Sequence, residues 1–142
     1  MSGFLLDTNI ISELVKPNPE PGVATWMEDT DESLLYLSVL TLGEIRRGIA
    51  TLPQSRRRAT LEAWLDKDLC ARFEGRILPV DLDVADRWGL LTAAARNTGK
   101  VLPVIDGLLA ATALEHNLTL VTRDTGQIPY LGVAVFNPWE NA

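Results

Sequence analysis

The chain is poor in the residues most often recruited for covalent or zinc chemistry: its 142 residues include one cysteine, Cys70, and one histidine, His116. A lone cysteine forms no internal disulfide, which fits a reducing compartment, and no Cys/His set has zinc-ligand spacing. Nucleophilic triads of the Ser/His/Asp or Cys/His kind are unsupported for the same reason. His116, late in a helix beside Asn117, reads as a surface or capping residue. No run approaches the roughly 18 consecutive apolar residues of a membrane span. The start, Met1-Ser2-Gly3-Phe4-Leu5-Leu6-Asp7, lacks the basic n-region and long apolar stretch of a signal peptide. No internal repeat, low-complexity tract or linker is present. A soluble cytoplasmic protein without membrane contact is expected.

What remains is ordinary globular composition, 46% hydrophobic and 23% charged. The length suits one domain over residues 1–142, and such a chain buries roughly two-thirds of its unfolded surface without a disulfide or metal staple. An excess of positive charge is also missing. The net charge of −6 taken alone argues against a nucleic-acid partner, but the charge is unevenly placed. Residues 1–45 carry one base, Lys16, against eight acids, whereas residues 46–76 carry eight bases against four acids. Residues 77–142 are again acidic, with four bases and seven acids. A separation of this kind makes the overall sign a guide to solubility rather than to partners.

Strand-like and helix-like segments alternate along the chain. Gly3-Phe4-Leu5-Leu6 is a short apolar run whose abrupt end at Asp7-Thr8-Asn9 resembles a helix start. That helix is predicted through Ile10, Ile11 and Leu14, stopping before Pro17, with a second short helix from Val23 to Glu28. Leu34-Leu35-Tyr36-Leu37 predicts a strand buried on both faces. Leu42, Ile45 and Ile49 mark a helix by their spacing, and residues 55–73 predict a longer one, basic at its start and apolar at Leu61, Trp64, Leu65 and Leu69. Ile77-Leu78-Pro79-Val80 predicts a third strand, and Val84–Asn97 a helix ended by Gly99. Leu108–Leu114, apolar nearly all round, predicts a helix buried mid-fold. Leu118–Thr122 and Val133–Phe136 complete the set of strands. Such alternation implies parallel pairing through right-handed crossovers, hence a three-layer α/β/α sandwich with a mainly parallel sheet.

In parallel α/β sheets ligands bind outside the carboxyl ends of the strands. Asp7 follows the first strand, Asp124 follows the strand ending at Thr122, Asp106 heads the buried helix and Glu44 lies one turn into the helix after the second strand. Taken singly, Asp7 and Asp106 read as N-caps, Asp124 as a turn residue and Glu44 as a helix-border side chain. Taken together they point to convergence, because capping does not require four acids at one end of one sheet. Two unit charges 4 Å apart repel by about 4 kcal/mol at an effective dielectric near 20. A cation or raised pKa values must therefore accompany such a cluster. All-oxygen ligands select Mg²⁺ or Mn²⁺ over zinc, and metal-assisted hydrolysis of a phosphate ester is the chemistry that follows.

Four ordered segments carry a resemblance: Leu6-Asp7-Thr8-Asn9-Ile10-Ile11-Ser12-Glu13, Thr41-Leu42-Gly43-Glu44, Asp106-Gly107-Leu108-Leu109-Ala110-Ala111-Thr112-Ala113 and Leu120-Val121-Thr122-Arg123-Asp124. They resemble the PIN domain, and more narrowly the FitB-like branch of VapC toxins, as does Asn137-Pro138-Trp139. The resemblance implies a Mg²⁺- or Mn²⁺-dependent endoribonuclease, the toxin of a type II toxin–antitoxin pair. It implies Asp7 and Asp106 as central metal ligands, Glu44 and Asp124 completing the site directly or through water, and Thr8 and Thr122 orienting those carboxylates or simply packing. Much of the family has Asn at position 124 with an acid a few residues later; here that region is Gln127-Ile128. It further implies an RNA substrate, a cognate antitoxin, a homodimer within a toxin–antitoxin hetero-oligomer, and contact with DNA only through the antitoxin.

Arg46 and Arg47, just beyond Glu44, and Arg56, Arg57 and Arg58, opening the next helix, are candidates for phosphate contact or a solvated helix face. Trp26 and Met27 with Ile10, Ile11 and Leu14 form either an antitoxin groove or core; Leu61 and Trp64, on the long helix, form either a toxin-dimer interface or core. Two rivals compete with the ribonuclease. A haloacid-dehalogenase-like phosphatase also has Asp after its first strand, but it needs a second Asp where this chain has Asn9 and a late lysine that is missing after Lys100. A catalytically silent PIN-like module binding RNA or protein is the other.

Overall fold

The computed structural model describes residues 2–126 and 132–140. The first strand, β1 (Phe4–Leu6), runs straight into helix α1 (Thr8–Leu14), and α2 (Pro21–Asp29) follows with proline at its first position. Proline suits that place because its missing N–H would have no intrahelical partner there. A 3₁₀ turn (Glu32–Leu34) leads into β2 (Leu35–Ser38), whose last residue caps α3 (Val39–Ala50) by accepting from the Leu40 amide at 3.0 Å. Helix α4 (Arg56–Ala63) continues through a π-helical segment (Trp64–Leu69) into α5 (Cys70–Arg72). Strand β3 (Ile77–Leu78), helices α6 (Leu82–Asn97) and α7 (Val104–Glu115), and strands β4 (Thr119–Val121) and β5 (Val135–Phe136) complete the order.

The five strands form one parallel sheet in the order β3-β2-β1-β4-β5. Leu5 pairs with Leu120 in register, and Leu120 with Val135. Side chains alternate across this sheet. Leu6, Leu35, Leu37 and Val121 enter a core made with α1 to α5, while Leu5 and Leu120 enter a second core made with α6 and α7. The expected three-layer α/β/α sandwich with a parallel sheet is therefore what the chain forms.

Several expectations shift in detail. Leu34 belongs to the 3₁₀ turn rather than to β2, and β3 ends before Pro79, which has no N–H to give a ladder. The long helix over residues 55–73 is interrupted by its π segment. An α-helix drifts about 40° over four residues; the wider π turn offsets this drift, so Leu65, Leu69 and the fully buried Phe73 share one face. Helix α7 is buried as predicted. A Cβ on Gly107 would lie 3.0 Å from Trp88 Cδ1, so a hydrogen there lets α6 and α7 approach closely. Ile10, Ile11 and Met27 are buried core, with Trp26 and Leu14 packed against them.

Candidate active site

Strand polarity assembles the site. All strands point the same way, so the residues after β1 and β4 reach one rim together. Asp7 follows β1 directly, and its own amide donates to the Val121 carbonyl at 2.9 Å, extending the ladder by one step. Its side chain caps α1, accepting from the Thr8 amide at 2.7 Å. Its other carboxylate oxygen accepts from Thr122 Oγ1 at 2.8 Å, at the end of β4. The same Thr122 hydroxyl accepts from the Asp124 amide at 3.1 Å, which fixes the turn that carries Asp124. Glu44, one turn into α3, accepts from Thr8 Oγ1 at 2.5 Å. Asp106 lies in the first turn of α7, half-buried, and Pro103 rather than Asp106 occupies the N-cap. The capping explanation thus holds for Asp7 and fails for Asp106.

Asp7, Glu44, Asp106 and Asp124 all line one cleft of about 490 Å³. Burial pushes the Asp7 carboxyl up from 3.8 to about 6, although the hydrogen bonds from Thr122 and Thr8 favour its ionised form; the charges of Asp106 and Glu44 add to the rise. Asp106 is also raised, first by burial and then by the charges of Asp124 and Glu44. Both shifts are those of half-buried to buried carboxylates, with repulsion between neighbouring acids as the smaller contribution.

Among the described residues no three acidic, histidine or cysteine side chains stand close enough to enclose an ion. Mg²⁺ keeps several waters and is commonly bound through one or two carboxylates. The all-oxygen rim fits a hydrated hard cation held in that way, and gives zinc no soft ligand.

The arginine candidates divide. Arg46 pairs with Asp66, and Arg58 donates to the Leu52 carbonyl at 2.9 Å with Glu62 at 3.8 Å from its Nε. Arg57 lines a separate apolar groove of about 250 Å³ formed by Ile11, Val15, Ile49, Leu61 and Trp64, beside Thr8 and Glu44. Arg47 and Arg56 are exposed. The Gln127-Ile128 region lies outside the described residues. His116 is the exposed C-cap of α7 and borders a shallow cleft with Ser2 and Tyr36 at the opposite edge of the sheet.

Sequence reasoning passed over six residues of the acidic cleft, Ser12 and Glu13 on α1 among them. Asn9 Nδ2 reaches towards Asp7, Thr122 and Asp124 at 3.4–3.5 Å, and Lys16, Arg123 and Trp139 also line the wall. Signals existed for each: Asn9, Ser12, Glu13, Arg123 and Trp139 fall inside the family-like motifs, and Lys16 is the single base of the first 45 residues.

Five parallel strands with four carboxylates on one rim define an acid-cleft α/β protein. The family model for the PIN domain matches residues 4–129. The chain belongs to the PIN-domain family, in the FitB-like branch of the VapC toxins, as the motifs had suggested. It is 40% identical to VapC ribonuclease Y4jK of Sinorhizobium fredii over 98% of this chain and 99% of that protein. It is 41% identical to toxin FitB of Neisseria gonorrhoeae over 97% and 99% respectively. The crystal structure of FitAcB from Neisseria gonorrhoeae superimposes with a TM-score of 0.91 at 41% identity, covering 96% of this chain and 98% of that one. FitAB bound to a DNA fragment superimposes with a TM-score of 0.90 at 40% identity, over 96% and 95%. Among the described residues no helix is long and apolar enough to cross a membrane.

Proposed function

We propose that this chain, as one PIN domain over residues 1–142, is a divalent-metal-dependent endoribonuclease that acts in the cytoplasm as the toxin of a toxin–antitoxin pair. The observation that carries the reading is the gathering of Asp7, Glu44, Asp106 and Asp124 from four chain segments in one cleft. The ribonuclease name of the Sinorhizobium fredii relative and the toxin name of the Neisseria gonorrhoeae relative support it.

Asp7 and Asp106 are the carboxylates that would hold Mg²⁺ or Mn²⁺, with Glu44 and Asp124 contributing directly or through water. A bound divalent cation supplies an activated water and charge neutralisation for phosphodiester hydrolysis. The chain's own part is positional. Thr122 fixes the rotation of the Asp7 carboxylate, and Thr8 fixes that of Glu44, so neither must reorganise when substrate arrives. No histidine lies in the cleft to act as a general base.

Two partners accompany this reading. The apolar groove beside Glu44 suits an amphipathic segment of an antitoxin; similarity to FitAB, whose structure includes DNA, supports such a partner with DNA held only through it. Leu82, Leu90, Val101 and Val104, all strongly exposed on α6 and the approach to α7, support a second copy of the chain as the other partner.

The test is incubation of the purified, antitoxin-free chain with total cellular RNA in Mg²⁺, Mn²⁺ or EDTA, with the ends mapped. Discrete metal-dependent cuts, lowered by orders of magnitude in Asp7→Asn and Asp106→Asn, are expected. Equal cleavage by both variants, or none from the folded wild-type chain, would refute the assignment.

A further inference from the structure

The acidic cleft is not acidic throughout. Lys16 and Arg123 stand in the same wall as the carboxylates, and each is held in place by a neighbouring side chain. Glu13, only 6% exposed, accepts from Lys16 Nζ at 2.9 Å and from the Glu20 amide at 3.0 Å. These donors hold the Glu13 carboxyl below the ordinary carboxylate range. A buried carboxylate thereby pins what would otherwise be a free surface lysine.

Arg123 is pinned differently. Its guanidinium lies over the Trp139 ring, 5.1 Å from the centroid. Asn137 ties both ends of this contact, its Nδ2 donating to the Arg123 carbonyl at 3.3 Å and its Oδ1 accepting from the Trp139 amide at 2.9 Å. The stack is a closed loop of contacts, and a planar guanidinium held on an aromatic face keeps its N–H edge available. Among the described residues Arg123 makes no ion pair, although it adjoins Asp124 in sequence and shares a cleft with five carboxylates. Salt-bridging the acids is therefore not what its placement serves.

A polyanion approaching five carboxylates on a chain of net charge −6 is repelled unless fixed cations face it at the same place. We propose that Arg123 and Lys16 form a phosphate subsite that grips the RNA backbone beside the phosphodiester to be cut, with Glu13 and Trp139 as positioning residues that hold the two cations. The subsite rests on the ribonuclease reading of the cleft. It also differs in place from the basic cluster on α3 and α4, none of whose arginines lines the acidic cleft. The guanidinium fork suits bidentate contact with phosphate oxygens, and the ammonium adds a point charge.

The experiment measures binding of a short fluorescein-labelled single-stranded RNA to the Asp7→Asn chain in Mg²⁺ across a range of KCl concentrations. Removing one cation that touches a phosphate lowers the slope of log affinity against log salt by about 0.7. Adding Lys16→Ala and Arg123→Ala together is expected to reduce that slope by about 1.4 and the low-salt affinity at least tenfold. Arg123→Lys is expected to keep the slope, and Arg96→Ala, a surface cation outside the cleft lining, to leave it unchanged. Melting curves exclude unfolding as the cause. An unchanged slope in the double variant, an equal reduction in Arg96→Ala, or no RNA binding by the Asp7→Asn chain would overturn the subsite. A lowered slope in a chain whose wild type cuts no RNA would instead retain the subsite and refute the nuclease.

Discussion

Thr122 Oγ1 donates to Asp7 Oδ2 at 2.8 Å, so the hydroxyl ending β4 sets the rotation of the carboxylate ending β1. The bond is fully buried on the threonine side and favours the ionised form of Asp7 against the burial that opposes it. Thr122→Val keeps the shape and removes the donor. The Asp7 pKa is then expected to rise further and cleavage to fall by about 10–100-fold, the usual scale for residues that orient metal-binding carboxylates. Thr122→Ser is expected to restore most of the rate. Carboxylate titration by NMR with single-turnover cleavage checks both; equal loss in the valine and serine variants would reduce Thr122 to packing.

Asp7 also predicts a pH-dependent stability. Its folded pKa of about 6 lies above the ordinary 3.8, so the native state holds a proton that the unfolded state has released between those values. Stability from this group is complete below about pH 3.8, falls as pH rises towards 6 and stays low above it. A shift of roughly two units corresponds to about 3 kcal/mol as an upper limit. Asp7→Asn in EDTA is therefore expected to stabilise the fold by about 1–3 kcal/mol at pH 7.5, raising Tm by about 3–9 °C, and to give no gain at pH 4. Thermal melts at the two pH values decide it: a gain of equal size at both would mean that the charge is not the cause.

The fold was legible because local signals and tertiary demands agree. Each strand is a short apolar run whose end coincides with a turn or a helix start, and Asp7 and Ser38 act as both strand terminator and helix cap. The acids were legible for the same reason, since Asp7 and Asp124 follow strands, and Glu44 and Asp106 lie early in helices, whose starts the sequence marks. The cationic wall was not. Arg123 and Trp139 meet only because β5 returns beside β4, and Lys16 is fixed by a glutamate whose burial depends on how the chain between α1 and α2 folds back. Nor did the sequence show which arginines of the clusters have partners within the fold, because those of Arg46 and Arg58 depend on where α4 and its π segment pack.

Crowded carboxylates should respond to cations directly. Mn²⁺ or Mg²⁺ binding to the native state alone stabilises it by about 2.7 kcal/mol at 100 times Kd. The wild-type melting temperature is expected to climb with either ion, and that of the Asp7→Asn/Asp106→Asn double variant to stay flat. Calorimetric scans against ion concentration test this. An equal climb in both proteins would place the cation elsewhere.

Leu82 and Val101 are 83% and 86% exposed, and Leu90 and Val104 more than half exposed. Side chains of this size gain by being covered, at about 25 cal/mol per Å² of apolar surface removed from water. Leu90→Asp and Val104→Asp are expected to convert a dimer to a monomer without lowering the melting temperature of the isolated chain. Sedimentation velocity reads the outcome, and a wild-type chain that is monomeric at all concentrations would remove these side chains from consideration.

Gly48 offers a clean test of the antitoxin groove. It lines the groove from the last turn of α3, and a Cβ built there meets nothing within 4 Å. A larger residue can therefore occupy the groove without displacing the fold. Replacing a helical glycine also improves helix propensity, by at most roughly 0.5–1 kcal/mol. Gly48→Met is thus expected to melt at the same temperature as wild type or slightly higher, and to cleave RNA at a similar rate, since Gly48 lies one turn beyond Glu44. Its inhibition by the cognate antitoxin is expected to weaken at least tenfold, because the side chain fills space that the antitoxin segment would use. Titrating cleavage with antitoxin separates the outcomes. Undiminished inhibition of Gly48→Met would move the antitoxin to another surface, whereas weakened inhibition with intact cleavage would assign it to the groove between α1, α3 and α4.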